Sequence, residues 1–313
     1  MGSKLVSYIF PIFNEAGNIP LLCRTVDELL TANSQYKYEL IFVNDGSRDN
    51  SIDLLRDLQR RDPRVTVIDF SRNFGHQIAV TAGLDYAKGD AVIIMDADMQ
   101  DPPRVSMELL AKWEDGYDVV YAQRRSRRDG VFKRLTAYMF YKLLRRVAEI
   151  DIPRNTGDFR LLDRRVVDEL KKFGEHNRFL RGMVSYVGFR QAPVLFDRDE
   201  RHAGTTGYPL RKMVRFAADG IVGFSTYPLK LIRSVGFAIA TLAFLGVLYA
   251  VAVRVFLPDT AVPGWAFIVI SVLFVGGIQL VMLGVLGSYI GRIYTEAQDR
   301  PLYMVSHIYT HEK

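Results

Sequence analysis

Ala91-Val92-Ile93-Ile94-Met95-Asp96-Ala97-Asp98-Met99-Gln100-Asp101-Pro102-Pro103 joins two opposite chemistries without a break. Its first five residues are apolar and mostly β-branched, which predicts a strand covered on both faces, as in a parallel sheet between helix layers. Three carboxylates, an amide and two prolines follow at once. They fall beyond the C-terminal end of that strand, where open α/β sheets bind their ligands. Asp96 and Asp98 are two residues apart, so in extended chain they point the same way, and Gln100 continues the row. Hard oxygen ligands of this kind suit Mg²⁺ or Mn²⁺, ions that commonly bridge to phosphate oxygens. A lone Asp-x-Asp also fits a plain polar turn at a strand end. The surrounding chain has to decide.

Working outward from that strand, apolar runs and amphipathic segments alternate. Leu5–Phe10, Tyr38–Asn44 and Val65–Phe70 predict strands before it, and Tyr117–Ala122 predicts one after it. Between them, Glu15–Leu30, Ser51–Arg60, Gly75–Lys88 and Val105–Trp113 predict helices. This βαβα order implies an α/β fold, a mostly parallel sheet flanked by helices. No Gly-x-Gly-x-x-Gly follows the first strand and no Gly-Lys-Ser/Thr loop is present, which argues against dinucleotide and P-loop folds.

The chain has 313 residues and a net charge of +6, which points to anionic partners, either phosphate-bearing ligands or a membrane surface. No nucleic-acid partner is expected. Cys23 is the only cysteine, so an internal disulfide and a cysteine-based metal site are excluded. Met1-Gly2-Ser3-Lys4 leads directly into the first strand with no secretory apolar region, and the first domain is therefore expected in the cytosol.

Three strand ends carry a resemblance. Pro11-Ile12-Phe13-Asn14-Glu15, Val43-Asn44-Asp45-Gly46-Ser47 and Asp96-Ala97-Asp98-Met99-Gln100-Asp101-Pro102-Pro103, in that order, resemble an inverting family-two glycosyltransferase of the GT-A type. Ser71-Arg72-Asn73-Phe74-Gly75-His76-Gln77 narrows the resemblance to the polyprenyl-phosphate branch, the bactoprenol glucosyltransferase and dolichol-phosphate mannose synthase relatives. The resemblance implies that Pro11, Phe13, Glu15 and Asp45 line a nucleoside pocket, with Asp96 beside them. It also implies that Asp96, Asp98 and Gln100 hold the metal. Thr156-Gly157-Asp158-Phe159-Arg160 matches a family motif on the acceptor side. Asp158 would orient the incoming phosphate or act as a base, and Arg160 would neutralise it, unless the two form a structural pair. Arg124 occupies the family's position at a strand end. Arg198-Asp199-Glu200-Arg201-His202-Ala203-Gly204 resembles the loop covering the donor, so Arg201 is a further catalytic and phosphate-binding candidate. Gly207 stands where the relatives usually carry a lysine.

Two kinds of segment speak for a membrane. Val131–Ile150 has Leu135, Met139, Leu143, Leu144 and Val147 at helical spacing, interleaved with Lys133, Arg134, Lys142, Arg145 and Arg146. Such a basic amphipathic helix fits an anionic lipid interface, with Lys133 near the acceptor phosphate, although it also fits an ordinary packing helix. Ser234–Val253 and Ala261–Gly291 carry no charge, and the first alone reaches about 30 Å as a helix, a hydrocarbon thickness. The cations preceding Ser234 place both termini in the cytosol.

The expected organisation is a catalytic domain over 1–208, a juxtamembrane helix over 209–230, two transmembrane helices over 231–291 and a cytosolic tail over 292–313. Gly287-Ser288-Tyr289-Ile290-Gly291 has the spacing that permits close helix contact, and with it a homo-oligomer. The function implied is transfer of a sugar from a UDP-sugar, UDP-glucose first, to undecaprenyl or another polyprenyl phosphate at the inner membrane. Transfer from GDP-mannose is the enzymatic alternative, and a non-catalytic nucleotide-sugar- or lipid-binding membrane protein the other.

Overall fold

The computed structural model describes residues 3–125, 153, 156–197, 227–256 and 264–311. Lys133, Arg201, Gly207, the basic amphipathic segment 131–150, residues 209–226 of the expected juxtamembrane helix and the loop 257–263 lie outside the described residues. The described residues divide into two units, one holding everything up to 197 together with 300–311, the other holding 227–256 and 264–299.

The strands of the first unit are β1 (Leu5–Ile12), β2 (Lys37–Asn44), β3 (Val65–Phe70), β4 (Ala91–Ile94), β5 (Val119–Arg124), β6 (Thr156–Asp163), β7 (Gln191–Phe196) and β8 (Val305–Tyr309). They form one sheet in the order β7-β5-β6-β4-β1-β2-β3-β8. Strands β1 to β4 run parallel, as do β5 and β7, while β6 and β8 run antiparallel to their neighbours. Helices α1 (Ile19–Ala32), α2 (Ser51–Arg61), α3 (His76–Tyr86), α4 (Val105–Glu114), α5 (Arg164–Lys171) and α6 (Leu180–Tyr186) cover it. The mostly parallel α/β architecture is the one the sequence predicts. All four residues of β4 are buried, which explains their uniformly apolar character.

Two details position the site. Strand order reverses between β1 and β4: the chain steps from β1 to β2 to β3, then returns to the other side of β1 for β4. Ligands collect at such a switch point. There the two strands part early, because β4 pairs with β1 only over Val6–Ile9 while β2 stays paired through Ile12. The last bond of that seam runs from the Met95 N–H to the Ile9 carbonyl. Pro11, two residues on, faces the same edge and has no N–H to offer, so the proline sits where no donor is needed. Above β1, α3 lies in direct contact: a Cβ on Gly83 would fall 2.3 Å from Ile9 Cγ2. Only glycine permits that approach.

Differences from the sequence expectation have local causes. Helix α1 begins at Ile19 rather than Glu15, because Asn14 is left-handed (φ 57°) and Pro20 belongs to the first turn. Strand β5 is displaced by two residues, with Gly116 (φ 89°) and Tyr117 absorbed in the preceding turn. Residues 305–309, expected in a tail, form strand β8 on the edge of β3.

The second unit contains α7 (Tyr227–Phe256) and α8 (Trp265–Ala297), of 30 and 33 residues. Each contains a segment long and apolar enough to cross a membrane, Tyr227–Gly246 and Phe274–Ala297. Phe237 and Leu242 are 77% and 75% exposed, and none of either segment is buried inside the protein.

Candidate active site

The acidic stretch emerges from β4 into the opening beside β1, but it does not stay extended. Met99 takes a left-handed φ of 58°, and the Asp98 carboxylate accepts the Gln100 N–H at 3.1 Å. The straight row of Asp96, Asp98 and Gln100 is therefore a turn, in which Gln100 meets Asp98 through its backbone. Asp98 and Asp101 are buried, while the Asp96 side chain keeps 29% of its surface. Burial raises the Asp96 pKa and the neighbouring charges of Asp158 and Asp98 add to this, against the opposing pull of His76. Its Oδ1 is buried and accepts no hydrogen bond.

A divalent cation fits these residues, since crowded carboxylates and an oxygen without a donor are what such an ion relieves. Among the described residues no three His, Cys, Asp or Glu side chains already converge as a ligand set. Asp96 and Asp98 would thus supply part of a shell that Mg²⁺ or Mn²⁺ normally completes with water and substrate phosphates.

On the other side of the opening, the loops after β1 and β2 are laced together. The Asn14 and Glu15 N–H groups donate to Ser47 Oγ and Ser51 Oγ, and the Arg48 N–H donates to Asn14 Oδ1. Phe13 stands 45% exposed above this lacing, while Pro11 is buried in the strand. Glu15 accepts from the Asn18 side-chain amide. Asp45 is held inward. Its carboxylate accepts the Phe74 N–H at 2.6 Å, the Gly75 N–H at 3.0 Å and the Asn73 side-chain amide at 2.9 Å. It thereby fixes the loop between β3 and α3. Gly46 (φ 64°) meets the same loop, where a Cβ would lie 2.5 Å from the Arg72–Asn73 backbone.

That loop leads into α3. His76 and Gln77, the first residues of α3, both reach Asp158 Oδ2 at 3.1 Å, and Arg181 Nε on α6 donates to Asp158 Oδ1 at 2.8 Å. Gln77 Oε1 accepts the Leu180 N–H, which fixes the orientation of its amide and ties α3 to α6. Burial alone would raise the Asp158 pKa, but Arg181 and His76 overcome it and hold the carboxyl well below the ordinary range. His76 moves up to about 9: burial opposes its charge, and Asp158 and Asp96 more than compensate. Its Nε2 is also 3.6 Å from Asp96, so one ring nitrogen faces both carboxylates.

The arginine paired with Asp158 is Arg181, not Arg160. Arg160 is buried in β6, opposite Ile94 and Tyr121, and its Nη2 donates to the Gly157 carbonyl. Burial lowers its pKa to about 10, and it stays charged at neutral pH. Arg124 ends β5 with its guanidinium beside Gly157, near Asp101. The geometry thus gathers Asp96, Asp98, Asp101, Asp158 and Arg124 around the β4 end. It adds His76, Gln77 and Arg181, which the motifs did not assign to a site. His76 and Gln77 had a signal in the Ser71–Gln77 block. Arg181 had only its position as a lone cation on a short apolar helix.

The comparisons with known proteins bear on this arrangement. The family described as glycosyl transferase family 2 matches residues 7–171, which take in both laced loops, the acidic turn and Asp158. The chain belongs to glycosyl transferase family 2. Among relatives, the transferase is 49% identical over 304 residues to the uncharacterized glycosyltransferase YkcC of Bacillus subtilis, covering 97% of this chain and 94% of that one. It is 42% identical to the SfII prophage-derived bactoprenol glucosyl transferase of Shigella flexneri, covering 96% and 97%. It is 41% identical to the prophage bactoprenol glucosyl transferase homolog of Escherichia coli, covering 97% and 99%. These similarities span the transferase domain and the two apolar helices alike, and they identify an enzyme that transfers a sugar.

Proposed function

We propose that this transferase moves a sugar, glucose from UDP-glucose in the first instance, onto a polyprenyl phosphate such as undecaprenyl phosphate at a membrane. One observation carries the acceptor assignment: Asp158, the carboxylate on the acceptor side, is saturated by Arg181, His76 and Gln77. An acid so firmly ionised is a poor proton acceptor. A sugar hydroxyl would need a base, whereas a phosphate monoester, with a second pKa of about 6, arrives already ionised. Asp158 then acts as a positioning group, and Arg124 and Arg160 add positive charge behind the acceptor phosphate. The relatives named for bactoprenol agree with that acceptor.

On the donor side, Phe13, Pro11 and Glu15 border the nucleoside, and Asp45 acts through the loop it holds. A divalent ion at Asp96 and Asp98 would supply charge stabilisation for the departing nucleotide diphosphate. The protein's part is alignment: holding the acceptor phosphate in line with the anomeric carbon, opposite the diphosphate. Attack from that side inverts the anomeric centre, so an α-linked donor gives a β-linked lipid phosphate.

The apolar helices α7 and α8 and the low solubility of a long isoprenoid support membrane placement. Strand β8 adds support: chain before α7 and chain after α8 pair in one sheet, so the intervening segment crosses an even number of times. Two spans with a cytosolic catalytic domain satisfy this.

The test is transfer from labelled UDP-glucose or GDP-mannose to undecaprenyl phosphate by the full chain in lipid nanodiscs, with NMR of the product. A β-linked glucosyl lipid is expected. Transfer only to a non-lipid acceptor, or retention of configuration, would overturn the proposal, and preference for GDP-mannose would replace the donor.

A further inference from the structure

Beyond α8 the chain returns to the catalytic sheet at a particular place. The Ser71 N–H donates to the Met304 carbonyl at 3.0 Å, where the loop after β3 begins. Beside it, the Tyr303 ring stacks on Phe70 with centroids 5.1 Å apart and planes 19° from parallel. Its hydroxyl donates to Asp85 on α3 at 2.9 Å. Phe70 in turn meets Phe74 edge to face at 5.6 Å, and the Arg72 guanidinium lies over the Phe74 ring at 4.1 Å. Phe74 and Gly75 are the two residues whose N–H groups Asp45 collects, and His76 follows them. Further along, His176 contacts the Arg300 carbonyl, and residues 305–309 pair with β3. The loop between β3 and α3 is thus gripped from two sides, by Asp45 within the site and by the 300–309 segment from outside it.

We propose that Tyr303 is a positioning residue for the donor site, and that residues 300–309 are a strap setting the loop that carries Asn73, Phe74, Gly75 and His76. The functional part rests on the donor reading above; the mechanical part does not. The strap has no group in the site, so its effect passes through Phe70 and Phe74. Removing the Tyr303 ring leaves Phe70 without its stacking partner and the Ser71–Met304 bond open to water. The loop then loses one of its two holds, and Asp45 loses its fixed place. Aromatic pairs of this sort contribute about 0.5–1.5 kcal/mol beyond their burial, enough to change a local opening equilibrium by up to about tenfold.

The test uses the full chain in lipid nanodiscs and compares Tyr303→Ala, Tyr303→Phe and His311→Ala. His311 touches the Gln59 carbonyl on α2, so its variant loosens the end of the strap away from the loop. Hydrogen exchange without ligand is expected to accelerate about tenfold at Phe74 and Gly75 in Tyr303→Ala. Tyr303→Phe, which keeps the ring and gives up the Asp85 bond, should stay within about twofold of the unaltered protein, as should His311→Ala. With UDP-glucose as the varied substrate, Tyr303→Ala should raise KM about fivefold while kcat stays within about twofold. Unchanged exchange at Phe74 and Gly75 overturns the strap. So does acceleration spread equally over β1 and β4, which marks general unfolding. A kcat loss at constant KM overturns the assignment to the donor side. An unaltered protein that turns over no UDP-sugar refutes the donor reading, and exchange alone then decides the strap.

Discussion

Asp96 and Asp158 both face Nε2 of His76, at 3.6 and 3.1 Å, and their surroundings are reversed. Asp158 comes from β6 with its cations built in: Arg181 and His76 hold it, and its charge needs nothing from outside. Asp96 leaves β4 among other carboxylates, with a buried oxygen that accepts no hydrogen bond. One site therefore contains a finished ion pair and an unfinished one. The finished pair is complete within the protein, and under the proposed function the unfinished one would be completed by charge that comes with the substrate. Identical side chains differ in role because their neighbours differ.

The contrast breaks most visibly in activity on the unfinished side. Asp98→Asn or Asp96→Asn should lower turnover by about 10³-fold, and chelation of divalent ions should do the same to the unaltered enzyme. Near-normal turnover with the metal fully chelated would falsify the assignment. Stability sharpens the comparison, because the two carboxylates should respond with opposite signs. Asp158→Asn leaves Arg181 and His76 without their partner and should cost about 3–5 kcal/mol in denaturant unfolding. Asp96→Asn removes a crowded charge and should raise the stability of the metal-free protein by about 1 kcal/mol. Equal losses for both would erase the distinction.

A smaller effect is expected from pH. His76 gains its proton more readily in the folded protein, with a pKa near 9 against an ordinary 6.5. The stability it contributes is complete below about pH 6.5 and disappears as pH rises through about 9. The ring is 43% exposed, so solvent screening makes this contribution modest. Metal-free protein unfolded across that range should show the decline, and His76→Gln should flatten it. A parallel decline in the variant would assign the effect elsewhere. Smallest of all, Gln77→Ala removes one hydrogen bond from an uncharged amide to Asp158 and one to α6, and should cost about fivefold in kcat. A loss as large as the one expected for Asp98→Asn would show that Gln77 does more than hold its neighbour.

Much of the fold was legible because its signals are local. The apolar run of β4 followed by its acids announces a parallel strand and its functional end, and three such strand ends in order define the sheet. Strand β6 was less legible, since Asp158 and Arg160 interrupt its apolar pattern and its place between β4 and β5 is a long-range fact. Strand β8 is short, half polar and separated from β3 by more than two hundred residues, so pairing alone makes it a strand. For the site, types and order of residues gave Asp96, Asp98 and Asp158. Their coupling through His76 and Arg181 depends on where α3 and α6 dock. The turn at Met99 and the inward use of Asp45 likewise follow from backbone geometry that spacing does not encode.

Strand β8 also imposes an order of events during synthesis. The ribosome finishes β1 to β7 first, then both long helices, and only afterwards Val305–Tyr309. Until that moment the outer edge of β3 lacks its native partner, an open row of backbone groups able to capture another strand. If α7 and α8 span a membrane, as proposed above, a chain whose helices fail to insert would deliver its last strand late or in the wrong place, with that edge still exposed. Under that proposal, completion of the sheet would record that the preceding helices were placed, and quality-control machinery that recognises bare strand edges would meet the failures first.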